Sequence, residues 1–163
     1  MESLSYSDIV RSAYEGELLG EMTYRRFARL CEDADNRVKL SAVADLEERT
    51  PRTLQPLAVR LGIQPATERL EARAQERARD LARLSWPAFL DKARSDWPPY
   101  ITRFAMLAAR AEPGDELALA FLVDHEKALV EFIDLEHRGA PVSVSLAPIR
   151  ALLDPPQGQA SSR

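Results

Sequence analysis

Cysteine occurs once in the 163 residues, at Cys31, so no disulfide can close within the chain, and a reducing compartment suits it. Glycine occurs six times, and alternating apolar and polar residues are nearly absent, which argues against sheet structure. No apolar run approaches the ~18 residues that a membrane-spanning helix requires. The opening stretch MESLSYSDIV lacks the basic flank and apolar run of a signal peptide. An excess of positive charge is missing as well. The net charge is −4 and the pI about 5.3, so nothing in the charge balance suggests non-specific attraction to nucleic acid or anionic lipid. These absences lead to the expectation of a cytoplasmic protein with neither a nucleic-acid nor a membrane partner.

What is present is helical. The apolar share of 45% and charged share of 29% are those of an ordinary globular chain, with length enough for one well-filled core. Ser5 or Ser7 can cap a first helix that carries Asp8 in its opening turn and runs to about Glu32. A turn at Asp33–Asn36 sends a second helix back antiparallel as far as Leu61, where Gly62 and Pro65 end it. Thr67 can cap a third segment rich in i, i+4 charge pairs, which reads as a solvated amphipathic helix. Another helix starts near Ser85, breaks or kinks at Pro98 and Pro99, and resumes to about Ala111. Asp115 caps a last long helix to Arg138, and 141–154 holds one short docked helix. The expectation is an all-α domain over 1–154. It has four main helices and an extra helix in the long crossover between the second and third, followed by a disordered tail at 155–163.

Helical periodicity, about 100° per residue, assigns polar groups to faces. On the first helix Ala13, Gly20, Tyr24 and Phe27 share a face, and Glu17 falls within it. A carboxylate there is costly unless it is paired, protonated or bound to a cation. The alternatives are a partly exposed flank position or a pairing with an arginine or tyrosine. On the second helix Val43, Leu46, Thr50, Leu54 and Leu57 face inward, with Glu47 at their margin and Glu48 turned to solvent. On the last helix His125 stands among Leu122, Leu129 and Phe132, with Glu126 at the edge. His137 reads as a surface residue. Pro51 removes the hydrogen bond to the Glu47 carbonyl, which predicts a kink or bulge at that level.

The stretch GELLGEMTYRRFARL resembles the first helix of ferritin-like, rubrerythrin-type proteins, with a metal-binding glutamate, a tyrosine seven residues on and a phenylalanine three further. Here these are Glu17, Tyr24 and Phe27. The long crossover and the closing helix FLVDHEKALVEFIDLEHRG agree with the same family, over roughly residues 5–62 and 113–139. The resemblance implies a ferritin-like four-helix bundle in which two helices each give a glutamate and two each give Glu-x-x-His. Glu17 and Glu47 match, but Thr50 stands where a histidine is wanted. His125 matches, but Leu122 stands where its glutamate belongs, and the third helix supplies none. The resemblance therefore implies a thinned site for a single divalent metal (iron, manganese or zinc) on Glu17, Glu47, His125 and Glu126, with Tyr24 beside it. It also implies a redox or oxygenase-like role on an unknown small substrate. The alternative is a non-catalytic module that has lost its metal and pairs as a homodimer or docks a partner, for which LSWPAFLDKARSDWPPY offers apolar surface. Whether the chain is an enzyme stays open at this point.

Overall fold

The computed structural model describes residues 5–154, and every regular element among them is an α-helix. The tail expected at 155–163 lies outside the described residues. Helix α1 spans Tyr6–Leu30. Of the two candidate serines it is Ser5 that caps it, in a reciprocal box: Ser5 Oγ accepts from the Asp8 amide at 3.1 Å and the Asp8 carboxylate accepts from the Ser5 amide at 3.2 Å. The following turn is tighter and earlier than the sequence suggests. Asp33 already caps α2 (Ala34–Arg60), accepting from the Asn36 amide at 2.8 Å, so the turn is Cys31–Asp33.

Helix α2 runs through Pro51 and Pro56 as one uninterrupted element. Each proline removes one rung of the ladder, and Pro51 is itself buried against the core, so packing holds the backbone helical across the gap. Helix α3 spans Thr67–Ala82. Its N-cap is Ala66, with no side-chain bond, and Thr67 is already helical. The next helix is divided as expected, into α4 (Trp86–Asp96) and α5 (Pro98–Ala108), with Trp97 between them. Helix α6 spans Glu116–His137, and two short helices follow where one was expected, α7 (Val142–Ser145) and α8 (Ala147–Leu153). Asp115 stands at the α6 N-cap without capping it. Its carboxylate turns inward, accepts from the Tyr6 hydroxyl at 2.9 Å and pairs with Arg60, so one buried acid ties α1, α2 and α6 together. Burial and this bond push the Tyr6 phenol up to about 12.

Helices α1 and α2 pack along their length, α4 and α5 lie on α6, and α6 also packs on α2 and α8. Helix α3 leans chiefly on the outer side of α1, through Leu70 and Ala74 against Leu19. Helices α1 and α6 are not close neighbours, so whatever joins them is long side chains.

The apolar core falls into two large bodies and the small Leu19, Leu70 and Ala74 cluster under α3. One large body gathers Tyr24, Phe27, Leu46, Phe89, Leu129 and Phe132; the other gathers Ala13, Leu54, Leu57, Phe104, Leu119 and Leu122. Between them, at one level on three helices, lie Glu17 of α1, Glu47 and Thr50 of α2, and His125 and Glu126 of α6, all buried. A fully buried Leu or Phe contributes about 1.5–3 kcal/mol relative to an exposed one. The two apolar bodies therefore carry the fold, and the polar layer opposes it. Trp86 and Trp97, the anchors of the apolar surface proposed from sequence, are half-buried and packed on the first body, with Trp97 edge-on to Tyr24 at 5.9 Å.

Candidate metal centre

His125 is fully buried at the middle of α6, where its ring stacks on Phe104 of α5 with centroids 6.4 Å apart. Its Nδ1 lies 2.7 Å from the Leu122 carbonyl. A carbonyl only accepts, so Nδ1 carries the proton and donates it. That bond fixes the ring and directs Nε2 across the bundle to Glu17 Oε2, 2.9 Å away. Without a proton on Nε2, two lone pairs would face each other at that distance. The two atoms are nevertheless not aligned as a hydrogen bond, and both are buried without an aligned partner. Something positive belongs between them, whether a proton or a cation.

Glu126 closes the third side, with Oε1 3.8 Å from His125 Nε2. One donor atom from each of Glu17, His125 and Glu126 lies within 4.8 Å of the others. Glu47 stands just outside this triangle. Its carboxylate rests on the backbone of Gly20, one turn along from Glu17; a methyl group added there would come within 2.8 Å of Glu47 Cδ and closer still to Oε2. Gly20 thus provides the room that the fourth carboxylate occupies. Of the four sequence-derived ligands, three converge and the fourth lies adjacent.

The electrostatics follow from burial and crowding. Glu47 is pushed well above the usual carboxylate range, first by desolvation and then by the Glu17 charge, with His125 working the other way. Glu126 is pushed up to about 8 by desolvation, partly offset by His125. For His125, desolvation favours the neutral ring, but the Glu17 carboxylate outweighs it and raises the imidazole to about 10. Tyr24 is buried on the same side, and its phenol is pushed upward by desolvation and then by Glu47. In protein alone, protons supply the positive charge that three carboxylates need.

The donor set suits a divalent metal. Carboxylate oxygens and one imidazole are ligands for iron, manganese or zinc, and the Leu122 carbonyl orients the imidazole as outer partners of metal-bound histidines do. Thr50, where the resemblance asks for histidine, donates its hydroxyl to the Leu46 carbonyl at 3.0 Å and is spent on its own helix. Glu48 is a correction to the sequence reading. It is not simply solvated but forms the hub of ion pairs with Arg25, at 2.8 Å, and Arg52. His137 is exposed, as expected, beside Asp91 at 3.4 Å.

A cleft of about 930 Å³ opens onto this layer between α1, α3 and the α4–α5 break. Glu17, Glu47, Glu126 and Tyr24 line its inner part. Sequence reasoning missed the cleft, because it depends on how α3 sits on α1 and on the chain direction after Trp97. No family model matches this sequence, and no curated protein or solved structure matches it either. What the site does is therefore argued from its chemistry.

Proposed function

We propose that this protein is a ferritin-like helical bundle that binds one divalent metal, iron, manganese or zinc, in the polar layer of its core. Glu17, His125 and Glu126 would hold it, with Glu47 as the fourth, adjustable ligand. The observation that carries the reading is the pair of Glu17 Oε2 and His125 Nε2, 2.9 Å apart, buried and unaligned, with two further carboxylates at hand and no lysine or arginine paired to them among the described residues. Helix contacts support the bundle reading: α1 with α2, α5 with α6 and α2 with α6 is the neighbour pattern of such a frame.

A bound metal would supply redox or Lewis-acid chemistry to a small molecule entering through the cleft. The chain's own residues would do the rest. Leu122 orients the His125 ring, and Phe104 shields the imidazole face. Tyr24, packed against Trp97, borders the centre on the cleft side and holds its phenolic proton firmly. The cleft admits a substrate while the apolar bodies on either side of the layer exclude bulk water.

The test is equilibrium dialysis of the full chain against iron(II), manganese(II) and zinc(II), beside the Glu17→Ala, His125→Ala double variant. Retention of about one metal by the wild type and none by the variant supports the reading. Failure of the wild type to retain any of the three ends it, and the layer is then a protonated carboxylate–imidazole network.

A further inference from the structure

The cleft is unevenly built. Its inner wall is aromatic and aliphatic, with Phe89, Trp97 and Phe104 facing Leu19, Leu70 and Leu129. Away from that wall it is lined by charges of both signs, the acids Asp8, Glu15, Asp80 and Asp96 and five basic residues, and the basic ones differ in how they are engaged. Lys92 pairs with Asp96 at 2.6 Å, Arg103 donates to Ser12 Oγ at 2.7 Å, and Arg11 reaches the Gln64 carbonyl at 3.5 Å. Arg73 and Arg77, by contrast, make no ion pair or hydrogen bond among the described residues, although both line the cleft. They lie one turn apart on α3, each beside the buried alanine (Ala74, Ala78) that seats the helix. Arg69 and Arg79 of the same helix do not line it. Arg77 is near enough to Tyr24 for its charge to act on the phenol, so this arginine reaches toward the inner cleft. Two unpaired guanidinium groups over an aromatic floor, one turn apart, form a fork for an acid group.

The geometry points to a substrate class: a small organic anion with a flat apolar body, its acid group held by Arg73 and Arg77 and its body laid on Trp97 and Phe104 toward Glu126. This inference rests on the reading of the polar layer as a metal centre for its catalytic meaning, but not for the binding itself. The volume agrees with it, since sites for small molecules usually enclose about 300–1,000 Å³. A purely apolar molecule is disfavoured because it would leave the two arginines unanswered.

Benzoate, phenyl phosphate and neutral benzamide are the probes, titrated up to about 10 mM and followed by tryptophan fluorescence and ligand-observed NMR. Wild type and the Arg73→Gln, Arg77→Gln double variant are compared, each metal-free and manganese-supplied. Both arginines are exposed and make no contact that the fold needs, so the variant should fold normally. The expected result is saturable binding of at least one anion, weakened about tenfold in the double variant, with benzamide weaker and indifferent to it. The ratio of benzoate to phenyl phosphate affinity tells a carboxylate from a phosphate ester. Equal binding of benzamide, insensitivity to the arginines, or no saturation by any probe overturns the inference. Arginine-dependent binding by a protein that takes up no manganese, iron or zinc leaves the inference standing and removes the metal reading. Metal uptake without anion binding does the reverse.

Discussion

Two of the buried polar clusters among the described residues answer the burial of a carboxylate in different ways. Near the α4 start, Glu136 of α6 is met by Lys39 Nζ at 2.7 Å and by Trp86 Nε1 at 3.2 Å, while the lysine also lies 5.2 Å from the Trp86 ring centroid. That cluster contains its own cation. The central layer holds three carboxylates and one imidazole, and among the described residues no lysine or arginine pairs with the triangle of donor atoms. The first cluster brings its own cation, although Glu136 Oε1 is itself buried without a hydrogen-bond partner; the central one gathers its carboxylates around an imidazole instead.

The comparison breaks most visibly at Glu136. Replacing it with alanine leaves Lys39 buried and unpaired, and stability should fall by about 3–5 kcal/mol in denaturant titrations. A Lys39→Met, Glu136→Leu double variant should recover most of that loss, because the pair can be exchanged for apolar packing. Metal is the next largest effect. At about 100-fold excess over Kd, manganese or zinc should stabilise the wild type by about 2.7 kcal/mol and leave the Glu17→Ala, His125→Ala variant unmoved. Calorimetry reads both.

The same contrast predicts an unusual carboxylate. Glu47→Gln removes one of three crowded acids, so the metal-free protein should be unchanged or more stable by about 1 kcal/mol. Its metal affinity should nonetheless drop about tenfold, read by competition with a chelator. Gly20→Ala approaches the same residue from the other side. The added methyl must push the Glu47 carboxylate aside, so affinity falls while the helix content seen by circular dichroism is kept.

The pH dependence of the metal-free protein has a definite sign. Glu126 rises to about 8 and His125 to about 10 on folding, and Glu47 is also raised. A group whose folded pKa is raised contributes stability that is complete below its unfolded pKa and lost as pH passes its folded pKa. For Glu126 that window runs from the ordinary carboxylate range to about 8, and for His125 from the ordinary imidazole range to about 10. The thermal midpoint should therefore fall by roughly 5 °C between pH 5 and 10. The slope should flatten in Glu126→Gln. No flattening would mean that Glu126 does not titrate as its surroundings demand.

Much of the central layer is legible in the sequence, since Glu17, Glu47 and His125 interrupt apolar stripes whose period is that of a helix. Glu126 is harder to read. It lies 100° around the helix from His125, and only the enclosure of α6 by α2, α4, α5 and α8 buries both. Lys39 and Glu136 leave no local trace. Each flanks a core stripe as an ordinary charged residue, and only tertiary contact pairs them. The division of the core into separate apolar bodies is not read from the sequence, which leads to the expectation of one core. The cleft and its arginines are not legible either, because the charge-rich pattern of α3 is the same whether a face meets solvent or a substrate. At Pro51 one backbone hydrogen bond is lost, yet α2 continues through it as helix with the proline buried against the core.

The most direct test is isothermal titration of the metal-free full chain with manganese(II) near pH 7, repeated in buffers of different ionisation enthalpy. The account predicts one manganese per chain, with about two protons released, because the ligands must shed the protons that stand in for the metal. No saturable binding, or binding without proton release, would contradict it.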